Sequence, residues 1–151
     1  MNVLKPVRIF VLNGPNTNLY GLDPKGPYGS LTLDDIAANC RAKAESLNAS
    51  VDFRQTNHEG VLIDWIQEAR SGADGIVINA GSLSYTSIGI LDALIAFTKP
   101  AFQVHVSNVH KREAFRHSSP LSAAVTGCIV GLGPEGYGVA VEALIAHLRR
   151  A

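Results

Sequence analysis

The chain has 151 residues, 46% of them apolar, with 13 Lys and Arg balancing 13 Asp and Glu. That length suits residues 1–151 as one domain around one core, and the composition is too apolar for a disordered chain. The balanced charge excludes a strong basic field for nucleic acid or an anionic membrane surface. No stretch approaches the ~20 apolar residues of a membrane span, and Met1 to Val7 carries no apolar leader segment, so the cytoplasm is the expected compartment. Cys40 and Cys128 lie far apart with no metal-ligand spacing and read as two buried thiols in a reducing environment.

Along the chain, short β-branched runs alternate with longer stretches of helical spacing. Arg8 to Leu12 is the first strand, followed by a polar stretch from Asn13 to Ser30 rich in Gly, Pro and Asn. A loop of that length in a compact domain is commonly functional, such as a lid. Thr32 reads as the N-cap of a helix running to about Leu47, with Asp34 and Asp35 in its first turn and Asn48 as its stop. Ser50 to Gln55 is the second strand. A helix follows from about Gly60 to Arg70, with Leu62, Trp65, Ile66 and Ala69 on one face. Gly75 to Asn79 is apolar enough for a strand buried on both faces. Ser87 to Phe97 is a helix, Ala101 to Val106 a strand, and Arg112 to Arg116 a short helical turn. Gly127 to Gly131 is the last strand. Glu135 to Arg150 is an amphipathic helix with Val141, Leu144, Ile145 and Leu148 inward. This alternation predicts a three-layer α/β fold with a five-stranded parallel sheet, helices on both faces, and the flavodoxin-like strand order 2-1-3-4-5.

Ligands of such sheets bind beyond the carboxyl ends of the strands. In this chain the segments that follow the strands hold Asn13-Gly14-Pro15-Asn16, Gln55 to Gly60, Asn79 to Ser87, His105 to Asn108, and Gly131 to Tyr137. Asn and Ser are common caps, and Gly often ends strands. The gathering of amides, hydroxyls and imidazoles on one edge is what marks a site. Two glycine-containing turns there open helices and expose N–H groups, which suits a small, polar, anionic ligand. No phosphate-binding loop, dinucleotide fingerprint or nucleophile elbow is present, and the five histidines have no metal-ligand pattern.

The segments LNGPNTNLYG (Leu12 to Gly21), PYGSLTLDDI (Pro27 to Ile36), QTNHEGVLIDWIQEA (Gln55 to Ala69), INAGSLSYTSIGILDAL (Ile78 to Leu94), VHVSNVHKREAFRHSS (Val104 to Ser119) and GLGPEGY (Gly131 to Tyr137) together resemble the type II 3-dehydroquinate dehydratases, in order and over nearly the whole chain. The resemblance implies a lyase that dehydrates 3-dehydroquinate to 3-dehydroshikimate by trans elimination through an enolate. It implies no cofactor and no metal, and a homododecamer built as a tetramer of trimers. It leaves open whether the reaction serves shikimate formation or quinate catabolism. It casts Tyr28 as the base and His105 as the acid for the departing hydroxyl. Asn16 and Asn79 become the amides that hold a water against the enolate oxygen. Val106 and Ser107 cradle the substrate carboxylate, Arg116 holds a ring hydroxyl, and Asp92 is contributed by the neighbouring subunit. A phenol with a free pKa of ~10 needs a cation or hydrogen bonds to act as a base near neutral pH.

Four positions depart from the family pattern. Asp23 stands where the lid arginine is expected, with Lys25 two residues on. Tyr85 replaces the histidine of a Thr-His-Thr stretch, Gln103 replaces the glutamate two residues before His105, and Leu91 replaces an arginine. These departures keep two alternatives beside the dehydratase: a diverged relative acting on another keto acid, and a catalytically silent ligand-binding protein. A flavin-binding protein of the same fold is a more remote reading.

Overall fold

The computed structural model describes residues 3–26 and 28–151. The sheet has five parallel strands in the order β2-β1-β3-β4-β5, as the alternation predicts. The strands are β1 (Val7–Asn13), β2 (Ala49–Gln55), β3 (Gly75–Asn79), β4 (Ala101–His105) and β5 (Gly127–Val130). The helices are α1 (Leu33–Ser46), α2 (Glu59–Gly72), α3 (Ile88–Phe97) and α4 (Gly136–Arg150).

Period-2 alternation divides the apolar residues between two cores, one on each face. Ile9, Val11, Val77 and Val104 pack with Ile36 and Cys40 of α1 and with Val141, Leu144 and Ile145 of α4. Phe10, Leu12, Ile76 and Ile78 pack with Leu62 and Ile66 of α2 and with Ile90 and Leu94 of α3. The central strand β3 is buried throughout, which explains its unbroken apolar sequence.

Local signals in the sequence set the helix ends. Thr32 caps α1 in a reciprocal box: its hydroxyl accepts from the Asp35 N–H at 3.2 Å, and the Asp35 carboxylate accepts from the Thr32 N–H at 3.0 Å. Those bonds hold the Asp35 carboxyl below its usual range. Asn48 stops the segment in the left-handed region at φ 54°.

Three expectations need correction. Cys128 is exposed, not buried. Its neighbour Ile129 packs into the α1/α4 core, so alternation turns Cys128 to the other face, where the α2/α3 core does not extend beneath edge strand β5. The helical turn expected over Arg112 to Arg116 is two separate 3-10 turns, Val109–Lys111 and Ala114–Arg116. Asn108 caps the first through its side chain, and Arg112 is extended between them at φ −107° and ψ −168°. β4 ends at His105 and β5 at Val130, each one residue earlier than expected.

The strand ends are knit together past the sheet itself. Gly14 N–H donates to Asn79 O at 2.8 Å, and Thr56 N–H donates to Asn13 O at 3.0 Å. Gly131 N–H donates to His105 O at 3.0 Å. Gly14 lies so close to the backbone of Ala80 that a Cβ there would overlap the Ala80 carbonyl. Gly14→Ala should therefore force the β1 and β3 ends apart. The expected loss is about 1–3 kcal/mol, read as a fall of about 2–10 °C in melting temperature.

Candidate active site

A cavity of about 150 Å³ opens at the carboxyl edge of the sheet, lined by the last residues of strands and by the segments that follow them. The loop after β1 supplies Asn16, Tyr20 and Tyr28, and β3 supplies Asn79. The 3-10 turn Gly81–Tyr85 supplies Tyr85. β4 and its continuation supply His105, Val106 and Ser107, and the two turns beyond supply Arg112 and Arg116.

The loop after β1 is ordered by polar contacts. Asn16 adopts φ 68°, a conformation Asn tolerates well, and its N–H donates to Asn57 Oδ1 at 3.0 Å. Gln55 Nε2 donates to Asn57 Oδ1 at 3.1 Å and Gly14 O at 3.3 Å, tying this loop to the end of β2. The chain then turns Tyr20 inward, where its ring stacks on Tyr28 with centroids 4.6 Å apart.

Two guanidiniums face the cavity. Arg112 NH1 donates to the Tyr28 hydroxyl at 3.3 Å and to Ser107 Oγ at 3.2 Å. The Arg116 guanidinium lies over the Tyr85 ring at 5.8 Å from its centroid and pairs with Glu113 at 2.8 Å. No carboxylate is among the described lining residues; Glu113 behind them also lies 3.8 Å from Arg112, and two guanidiniums against one carboxylate leave the wall cationic. Burial pushes the Tyr85 phenol up, against the pull of Arg116 and Arg112. Tyr85 is therefore a neutral hydrogen-bonding group near neutral pH.

His105 is half-buried beside Tyr85, with ring centroids 6.1 Å apart. Burial lowers its pKa, and the neighbouring His110 lowers it further. Gln103 makes no hydrogen bond to the imidazole. It is fully buried and bonds elsewhere: Nε2 donates to Ser119 Oγ at 3.0 Å, and Oε1 accepts from Ser122 Oγ at 2.7 Å.

Asn79 is also fully engaged. Its Nδ2 donates to Tyr20 OH at 2.9 Å and to Tyr137 OH at 2.7 Å, while its Oδ1 accepts from Gly81 N–H at 3.2 Å. Tyr137 donates onward to Asn13 Oδ1 at 2.7 Å.

The structure thus gathers Asn16, Tyr28, Asn79, Tyr85, His105, Val106, Ser107 and Arg116 around one cavity. It does not bring Asp92, Asp23 or Lys25 there. Asp92 is exposed on α3. Asp23 and Lys25 are exposed, the Asp23 carboxylate accepting from the Lys25 N–H at 3.1 Å, and Pro27 lies outside the described residues. Sequence reasoning missed Tyr20 and Arg112. For Arg112 the available signal was its place five residues after Ser107, on the same edge as every other site residue. Tyr20 gave no comparable signal.

A model of the family Dehydroquinase class II matches residues 7–145. The chain belongs to the class II dehydroquinase family. A relative named 3-dehydroquinate dehydratase 2, from Agrobacterium fabrum, is 54% identical over 93% of this chain and 96% of its own. The catabolic 3-dehydroquinase of Aspergillus clavatus is 54% identical over 89% of each chain. The crystal structure of the type II dehydroquinase from Butyrivibrio crossotus superposes with a TM-score of 0.89 at 41% identity, covering 92% of this chain and 97% of that one.

The lowered His105 pKa has a direct check in the class II site. An NMR titration should place its midpoint below the free value of ~6.5. His110→Asn should raise that midpoint only partway, because burial is the larger cause. The folded state then binds fewer protons than the unfolded state just below the free value, so this group lowers stability as pH falls through that window.

Proposed function

We propose that this chain is a hydro-lyase that converts 3-dehydroquinate to 3-dehydroshikimate. The observation that carries the reading is the convergence of a phenol held by a guanidinium, an imidazole and a second guanidinium on one small cavity. It occurs in a chain about half identical to curated 3-dehydroquinate dehydratases.

Tyr28, as phenolate, takes a proton from the carbon beside the ketone, and the electron pair moves to the carbonyl oxygen as an enolate. Arg112 sits where the phenolate needs its countercharge, in the role expected of a lid arginine. The enolate collapses as the neighbouring C–O bond breaks, and His105 gives a proton to the departing hydroxyl, which leaves as water. Asn16 faces the same space, and the segment at Val106 and Ser107 together with Arg116 supplies the groups for a carboxylate and ring hydroxyls. A bound carboxylate favours the imidazolium that burial disfavours, so substrate binding loads the acid. Tyr85 serves as a neutral donor.

The reading extends to assembly. Ile88 and Ile95 are exposed apolar residues on α3, on the side that also presents Asp92. A homododecamer, a tetramer of trimers, would cover such a face and could deliver Asp92 to a neighbour's cavity. The unpaired Cys40 and Cys128 suit a cytoplasmic location, and no helix among the described residues is long and apolar enough to cross a membrane.

With 3-dehydroquinate, the purified chain should generate a growing enone absorbance. Tyr28→Phe should abolish it, and Arg112→Ala should lower kcat by about 10²–10⁴-fold. No absorbance change at high enzyme concentration would sink the reading. Light scattering should give a twelve-subunit mass, and Ile88→Lys with Ile95→Lys should reduce it; a monomer in the unaltered chain would dismiss the assembly.

A further inference from the structure

The hydrogen-bond directions around Asn79 can be worked out from fixed points. Gly81 N–H can only donate, so the Asn79 atom facing it is the oxygen, and both amide hydrogens point the other way, one to Tyr20 and one to Tyr137. Asn13 Nδ2 donates to the Arg54 carbonyl at 3.0 Å, which makes its other atom an acceptor. The Tyr137 hydrogen therefore goes to Asn13, and the Tyr137 oxygen receives Asn79. Asn79 has no hydrogen left for a ligand. Tyr20 is the member of this chain whose own hydrogen is uncommitted: its oxygen accepts from Asn79, and it lines the cavity while only 7% exposed.

We propose that the Tyr20 hydroxyl is a catalytic hydrogen-bond donor of this site, carrying the polarity of Asn79 to the oxygen that becomes the enolate. The inference rests on the dehydratase reading. Before substrate binds, the Tyr20 hydroxyl has Tyr137 as a hydrogen-bonding neighbour. A developing oxyanion is a stronger acceptor and draws it into the cavity. Accepting from Asn79 strengthens Tyr20 as a donor, since linked hydrogen bonds polarise one another. Burial pushes the Tyr20 phenol up to about 12, so it stays protonated where Tyr28 must lose its proton. The two stacked phenols thus divide the work. Tyr28 is held by Arg112 and acts as base, while Tyr20, held by an amide, remains a neutral donor.

The test measures enone formation from 3-dehydroquinate by the unaltered enzyme, Tyr20→Phe, Asn79→Ala and the double variant, each with a thermal melt. Tyr20→Phe keeps the ring and its stacking and removes only the hydroxyl. Its kcat should fall about 10²-fold while KM changes less than about threefold. Asn79→Ala should also lower kcat, and the double variant should be no slower than the slower single variant, because Asn79 acts through Tyr20. If Asn79→Ala does not fold, the kcat and KM of Tyr20→Phe decide alone. An unchanged kcat in Tyr20→Phe, with only the melting temperature moved, overturns the inference and leaves the dehydratase reading intact. A double variant whose loss is the product of the two single losses overturns it as well. An unaltered enzyme with no activity overturns the dehydratase reading and this inference with it.

Discussion

A buried polar side chain stabilises a fold only when its partners are complete, and Asn79 meets that demand at the centre of the sheet edge. Its three bonds reach the loop after β1 through Tyr20, α4 through Tyr137, and its own following turn through Gly81. Asn13, directly across the ladder from Asn79, closes the circuit through Tyr137. Each member comes from a different part of the chain, so the network forms only when strand register and the seating of α4 are both right. A one-residue slip of β1 against β3 would bury unpaired amides and phenols together. The floor of the cavity and the registry of the fold are therefore the same object.

The same economy appears at Gln103. A carboxylate at that position accepts hydrogen bonds but cannot donate. The amide does both, donating to Ser119 while accepting from Ser122 and, more weakly, from Cys128 at 3.6 Å. Ser119 in turn donates to the carbonyl of Ser84 at 2.6 Å, which anchors the turn presenting Tyr85. The loss of a charge two residues before His105 leaves a fully bonded node rather than a gap. The consequence for His105 is that burial acts on it without an adjacent anion to oppose it.

Much of the architecture was legible because it depends on short-range periodicity. The apolar run at β3, the alternation in β1 and the Thr32 cap each follow from the residues themselves. What escaped depends on where elements end up relative to one another. Cys128 looks like a core thiol in any strand, and only the place of β5 at the edge makes it exposed. Arg112 fits a helical pattern with Arg116, yet it is the extended residue that ends the turn Asn108 opens, and from there it reaches Tyr28. Tyr20 differs from any buried tyrosine only by its partners, Tyr28 on one side and Asn79 on the other. Family resemblance located most of the cavity, but it also tied the base to a lid cation at position 23, whereas the cation in contact with Tyr28 comes from beyond β4.

On the proposed mechanism, the place of Arg112 alters how charge enters the reaction. Arg112 bonds to Ser107 as well as Tyr28 and lies 3.8 Å from Glu113, so its charge is fixed beside the phenol. Such preorganisation favours catalysis because nothing need reorient as the proton moves. The imidazole works in the opposite sense. Burial disfavours its charged form, and an anion bound between it and the arginines would favour it. On the proposed mechanism an anionic substrate would complete His105 as the acid with the Arg112 charge already beside Tyr28, and proton transfer would be coupled to binding through the cavity wall. Asp23 is exposed and directed onto the Lys25 N–H, so it does not oppose this arrangement with the lid as it stands.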